Sequence, residues 1–386
     1  MKRRLFARAA FISLGAGAAH AQKFRRRNVN DLLVYFGTYT RANKSVGLYL
    51  SRLNPQSGAL TEPQVVATAS NPSFIALHPS QQYLYAVNED GNFAGKKQGA
   101  VTAFAINGDG TLRALNQQPT GGSAPCHLSV EATGKYLLSA NYGGGNCIVH
   151  PINDDGSLRA ATDFVQHVGK GTTARQQAPH AHSIMLAPDN RFAFAADLGL
   201  DKVLIYQLDL TTGKLKPHGE ASIKAGAGPR HFDFHPTGKF AYCINELDET
   251  MTAFSYDTKA GRLTEVQHIT TLPADFKGQS YCADVHVHPN GKFVYGSNRG
   301  HDSIAIFAID QRTGKLTVVG HESTQGKNPR NFGIDPTGRW LLAANMDSDN
   351  VVVFRIDEAT GKLTPTGRPI AAWTPVCVKF VARTGR

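Results

Sequence analysis

Little in this chain is equipped for redox or zinc chemistry. It has five cysteines in 386 residues, at 126, 147, 243, 282 and 377, and none stands in a C-x-x-C pair. That removes zinc-ribbon and dithiol motifs, and the odd count leaves at least one thiol unpaired in a monomer. Beyond the first 21 residues no apolar run is long enough to cross a bilayer. Heptads and long helical patterns are missing, which excludes coiled coils and helix bundles. Charged residues make up 18% of the chain and hydrophobic ones 41%, as in ordinary soluble globular proteins. The formal charge of +11 overstates the basicity of the fold. Lys2, Arg3, Arg4, Arg8, Lys23, Arg25, Arg26 and Arg27 supply eight of those charges in an N-terminal stretch with no acid. No basic face interleaved with aromatics remains, so no nucleic-acid partner is expected. A small basic pocket for an anionic metabolite stays open.

The N-terminus has the order of a signal peptide. Lys2-Arg3-Arg4 precedes a mostly apolar run from Leu5 to Ala19, and Ala19-His20-Ala21 offers an A-x-A cleavage site. The expected organisation is therefore a signal peptide at 1–21, a basic linker at 22–30 and one domain at 31–386. The mature protein is expected in the periplasm or secreted, with no membrane span. Arg3-Arg4 also suits twin-arginine export.

Glycine is plentiful, with 38, and proline follows with 19. Much of the glycine is periodic. Gly-x-Leu recurs seven times, at Gly58, Gly110, Gly156, Gly213, Gly261, Gly314 and Gly361, each after an alternating apolar run such as Val101–Ile106. That pattern is a strand entering a hairpin. Between two other strands a turn recurs six times, as His78-Pro79, Glu131-Ala132, Ala187-Pro188, His235-Pro236, His288-Pro289 and Asp335-Pro336. Ten residues after the start of each lies Asn88, Asn141, Asp197, Asn245, Asn298 or Asn345. Four short antiparallel strands (A to D) per unit of roughly 50 residues describe a propeller blade. The first unit starts at its strand B, Leu33–Thr38, and the matching strand A lies at the other end, from Pro375 to Phe380. The prediction is an all-β, seven-bladed β-propeller whose C-terminal strand joins the N-terminal blade and closes the ring. His78, His235 and His288 are expected to cap their turns, and the Asn/Asp series to bond backbone in the following loop.

Strand A lies innermost, so its first residues face one mouth of the channel. Five residues before each turn stand Ser73, Cys126, His182, Arg230, Ala283 and Arg330, with Val376 in the last strand. The next position holds Phe74, His127, Ser183, His231, Asp284, Asn331 and Cys377. After the strand B Asn/Asp come Glu89, Tyr142, Leu198, Glu246, Arg299 and Met346, with Tyr39 in the first blade. Three consecutive units thus supply His182, Arg230, Glu246 and Arg299 at one mouth. Two guanidinium groups can hold a carboxylate or phosphate, and His or Glu can move a proton. The bland alternative for Arg230 and Glu246 is a structural salt bridge. His180 and His182 share a strand face at metal-ligand spacing, but no third ligand pattern accompanies them, so no metal or cofactor is assigned.

Gly37-Thr38-Tyr39-Thr40, Pro179-His180-Ala181-His182, Gly228-Pro229-Arg230-His231, Asn245-Glu246, Ser297-Asn298-Arg299 and Asn328-Pro329-Arg330 resemble the lactonase family of seven-bladed propellers. That family includes 6-phosphogluconolactonases and carboxy-cis,cis-muconate cyclase, and the resemblance runs from about residue 31 to 383. It implies metal-independent hydrolysis of a sugar δ-lactone, with His182, Arg230, Glu246 and Arg299 catalytic and Glu246 or His182 as general base. His180, His127, His231, Asp284 and Arg330 are the expected substrate-binding residues, and the partner is a small anionic or sugar lactone. A non-catalytic periplasmic binding propeller and a muconate-type lactone cyclase are the alternatives. An exported protein fits poorly with a phosphorylated cytosolic substrate, which brings unphosphorylated aldonolactones into play.

Overall fold

The computed structural model describes residues 32–40 and 44–382. The expected signal peptide and basic linker lie outside the described residues. Seven antiparallel sheets form the blades of a propeller. Blade one takes its inner strand, Pro375–Ala382, from the C-terminus and continues outward through Leu32–Thr38, Gly47–Leu53 and Gln64–Thr68. The inner strands of blades two to seven are Ile75–Leu77, Pro125–Val130, Ala181–Leu186, Pro229–Phe234, Tyr281–Val287 and Pro329–Ile334. Neighbouring inner strands touch in an unbroken circle that includes the C-terminal strand. The predicted closure is therefore present, and it removes the open edge that Leu32–Thr38 would otherwise leave. Blade seven differs from the four-strand pattern: its outermost element is split into Leu363–Pro365 and Ile370–Ala371, both paired with Asn350–Ile356.

The recurrent glycines explain how blades lock together. All seven Gly-x-Leu glycines have φ between 61° and 93°, a left-handed conformation that disfavours side chains. They also touch the preceding blade. A Cβ on Gly314 would lie 2.4 Å from the Phe240 ring, and one on Gly58 2.4 Å from Trp340 across the closing seam. The same turns accept hydrogen bonds from the neighbouring blade's strand B tyrosines, Tyr35 to Gly110 O (2.7 Å) and Tyr295 to Gly361 O (2.9 Å) among them. Between blades, strand faces bury aromatics on one another. Phe194 of blade four stacks on Phe232 of blade five at 5.7 Å and meets Phe234 edge-on at 5.2 Å.

The turn histidines cap and also staple. His235 Nδ1 pairs with Thr237 Oγ1 in its own turn, while Nε2 reaches Gly291 O of the next blade at 2.8 Å. His78 and His288 reach Gly134 O and Gly338 O in the same way. The Asn/Asp series meets expectation at Asp197, which accepts from Gly199 N in the following loop at 2.9 Å, and departs from it at four other positions. Asn88, Asn141, Asn298 and Asn345 donate to the carbonyls of Ser70, Thr120, Thr271 and Thr324, in the loop that enters each blade rather than the one that follows. The antiparallel pairing of strands A and B puts the end of B beside the start of A, so the incoming loop is the nearer one.

Candidate functional site at the channel mouth

In six of the seven blades the A–B ladder shifts register where the inner strand begins. The residues left out of the pairing are Val376, Cys126, His182, Arg230, the pair Ala283 and Asp284, and Arg330. An unpaired bulge residue is free to turn its side chain away from the ladder. The repeat position picked out from sequence is therefore a bulge position, and this gives the mouth its side chains.

Glu246 is the hub. It follows strand Phe240–Asn245, and its backbone N donates to Gly228 O at 2.7 Å. Its Oε2 accepts from Arg230 Nε at 2.9 Å and sits 3.0 Å from Arg299 Nη2, while Oε1 accepts from Arg175 Nη2 at 2.9 Å. Burial alone would raise its pKa, but Arg299, Arg230, Arg175 and Arg330 outweigh that and hold it at about 2. Burial and the positive charges of Arg330 and Arg299 bring Arg230 down to about 10, against the pull of Glu246 and Asp284. Both partners stay charged at neutral pH. The salt bridge anticipated as a bland alternative is real, and it belongs to a three-arginine cluster.

His182 is buried, with Nδ1 3.7 Å from Cys126 Sγ. Burial first, then Arg230, His231 and Arg330, push its pKa well below 6.5, so the imidazole is neutral. His180 stands just before the inner strand. Its ring stacks on Tyr142 at 4.4 Å and its Nδ1 contacts Tyr142 O, while Tyr142 meets His182 edge-on at 5.5 Å. The two histidines are thus joined through an aromatic ring rather than as a ligand pair. Across the channel, Arg330 lies over the Tyr39 ring at 5.4 Å, and the Tyr39 hydroxyl bonds both oxygens of Glu89.

The other expected binding residues lie deeper. His231 contacts Asp284 Oδ1 through Nδ1 at 2.7 Å and Arg230 Nη1 through Nε2 at 3.3 Å. With Ser73, Glu89, Cys126, Arg230 and Arg330 it lines a cavity of about 10 Å³, room for about one water. Asp284 sits behind His231, engaged by protein donors. His127 tilts against Phe74 at 4.2 Å and accepts from Ile184 N. A far larger groove of about 690 Å³, beside Trp340, Arg339 and Arg355 on the outer part of blade seven, holds none of the predicted residues.

Sequence reasoning missed Arg175. It rides on a short 3-10 turn, Ala174–Gln176, in the connection between blades three and four. That segment has no counterpart in the repeat, so no equivalent position points to it. Among the described residues no cluster of three or more His, Cys, Asp or Glu is placed to hold a metal.

The family model described as lactonase, 7-bladed beta-propeller, matches residues 33–380. A 6-phosphogluconolactonase of Bacillus subtilis is 40% identical over 303 residues, covering 78% of this chain and 84% of its own. One from Formosa agariphila is 36% identical, covering 78% and 86%. Among solved structures, the periplasmic gluconolactonase of Pseudomonas aeruginosa superposes with a TM-score of 0.86 at 32% identity, over 91% of this chain and 99% of that one.

Proposed function

The chain belongs to the lactonase family of seven-bladed β-propellers, and we propose that it hydrolyses a sugar δ-lactone at this mouth without a metal ion. The observation that carries the reading is the bridging of Arg230 and Arg299 by Glu246, beside a neutral His182. Arg230 spends Nε on Glu246 and Nη1 on His231 and Ala283 O, and its Nη2 has no partner among the described residues. Arg299 keeps a buried Nε unpartnered, a donor that costs about 1–3 kcal/mol unless a ligand meets it. The two guanidinium groups suit a lactone carbonyl oxygen that gains negative charge.

In this scheme water attacks the lactone carbonyl carbon and His182 takes its proton. Arg230 and Arg299 hold the resulting oxyanion. Collapse expels the ring oxygen, which receives the proton back from His182, and an aldonic acid leaves. Glu246 is a poor base at a pKa of about 2 with both oxygens occupied, so its role is to fix the arginines. Anionic substrate groups would offset the cations that depress His182 and make it a better base.

Two substrates have support. The 6-phosphate lactone follows the names of the Bacillus and Formosa relatives. An unphosphorylated aldonolactone follows the periplasmic structural relative and the signal-like N-terminus, which together favour export. The test is a pH-stat assay of purified protein on glucono-δ-lactone and its 6-phosphate, with EDTA present. Wild type should exceed background on at least one, and His182→Gln should lower kcat by roughly 10²-fold or more. No rate above background on either lactone defeats the reading, and a rate abolished by EDTA defeats the metal-free part.

A further inference from the structure

Beyond Arg230, the channel axis carries a connected line of polar groups that the hydrolysis scheme does not use. The Asp284 carboxylate is its centre. Oδ1 accepts from His231 Nδ1 of blade five and from Val285 N at 3.0 Å. Oδ2 meets His286 Nε2 at 3.0 Å and accepts from Asn331 Nδ2 of blade seven. Asn331 Oδ1 in turn accepts from Val378 N of the closing strand at 2.7 Å. One carboxylate thus ties blades five, six, seven and one across the axis. His286 continues towards Asp233, whose Oδ2 lies 4.0 Å from its Nδ1, and these two side chains are 27% and 24% exposed. The line therefore hangs from Arg230 and ends at two partly exposed side chains.

We propose that Asp284 and His286 are positioning residues which, through His231, fix Arg230 in the orientation that lactone hydrolysis requires. Asp284 accepts on both oxygens, so His231 must carry its proton on Nδ1 to bond it. Its Nε2 then bears a lone pair and can accept from Arg230 Nη1. A His231 with the opposite tautomer, or with both nitrogens protonated, would turn a donor towards the guanidinium and push it off. Burial and Arg230 lower the His231 pKa to about 4, against the pull of Asp284, which agrees with a neutral ring. The groups facing His286 are Asp284, Asp233, Lys379 and His231, with the Phe332 ring edge-on at 4.9 Å. Burial lowers the His286 pKa, and the two aspartates more than reverse this. A protonated His286 balances part of the Asp284 charge, and its deprotonation changes the field at His231 and hence at Arg230.

This inference rests on the lactonase reading for its kinetic arm only. Asp284→Asn and His286→Gln are compared with wild type by kcat, KM and pH profile on the lactone that wild type hydrolyses. Each should lower kcat by up to about 100-fold with KM nearly unchanged, and His286→Gln should also displace the pH profile. Independently of any substrate, ¹⁵N imidazole spectra, assigned with His231→Gln, should show His231 as the Nδ1–H tautomer in wild type. Asp284→Asn should alter that signal. Wild-type kcat and pH profile in both variants, or an unchanged His231 signal in Asp284→Asn, overturns the proposal. A wild type inactive on every lactone removes the catalytic reading, while the spectra still decide whether Asp284 sets the tautomer. His286→Gln, at the partly exposed end, keeps the test open should Asp284→Asn not fold.

Discussion

Replacing Glu246 with Gln tests whether the mouth is held by charge. The carboxyl pKa falls from 4.5 to about 2 in the folded protein. At about 1.36 kcal/mol per unit this is roughly 3 kcal/mol in favour of folding. Its side chain is 6% exposed, so water screens little of that. The folded value lies below the unfolded one, so the contribution is complete above pH 4.5 and is lost as pH falls towards 2. Gln removes it and leaves Arg230, Arg299 and Arg175 without their counter-ion, a change of the kind that costs about 3–5 kcal/mol. Urea unfolding followed by tryptophan fluorescence should find Glu246→Gln about 3 kcal/mol less stable at pH 7. The gap should shrink to roughly 1 kcal/mol at pH 3. Equal stability at pH 7, or a gap independent of pH, would refute an ionised, bridging carboxylate.

Gly314→Ala forces a Cβ to 2.4 Å from Phe240 at a φ of 75°, and should cost about 1–3 kcal/mol in the same unfolding experiment without changing KM. Ending the chain at Thr374 removes the inner strand of blade one and exposes Leu32–Thr38; light scattering should show aggregation that the full chain lacks. All five cysteines are free and buried, so a thiol reagent should label none in the native protein and all five after denaturation.

The ring was legible in the sequence because its signals repeat. A left-handed turn and an inter-blade contact both require glycine at Gly58 and its six counterparts, and one side chain series marks each strand B end. Closure followed from a strand missing at one end and present at the other. The site was legible only as far as it kept register. His182, Arg230, Glu246 and Arg299 converge because each occupies a repeated position, but the bulge that turns His182, Arg230 and Arg330 inward leaves no mark in residue type. Arg175 sits in a non-repeating connection and was invisible for that reason. His286 and Asp233 occupy ordinary inner-strand positions, and their link to His231 depends on how three-dimensional neighbours share the Asp284 carboxylate. The direction of the Asn bonds was misjudged because sequence order favoured the following loop, whereas strand pairing brings the preceding one alongside.

The most direct measurement is a crystal structure of the protein soaked with gluconate, the acid released from glucono-δ-lactone. The account predicts its carboxylate at the channel mouth, within hydrogen-bond distance of Arg230 and Arg299 and beside His182. Gluconate seated instead in the groove beside Trp340, with the arginine cluster untouched, would contradict it.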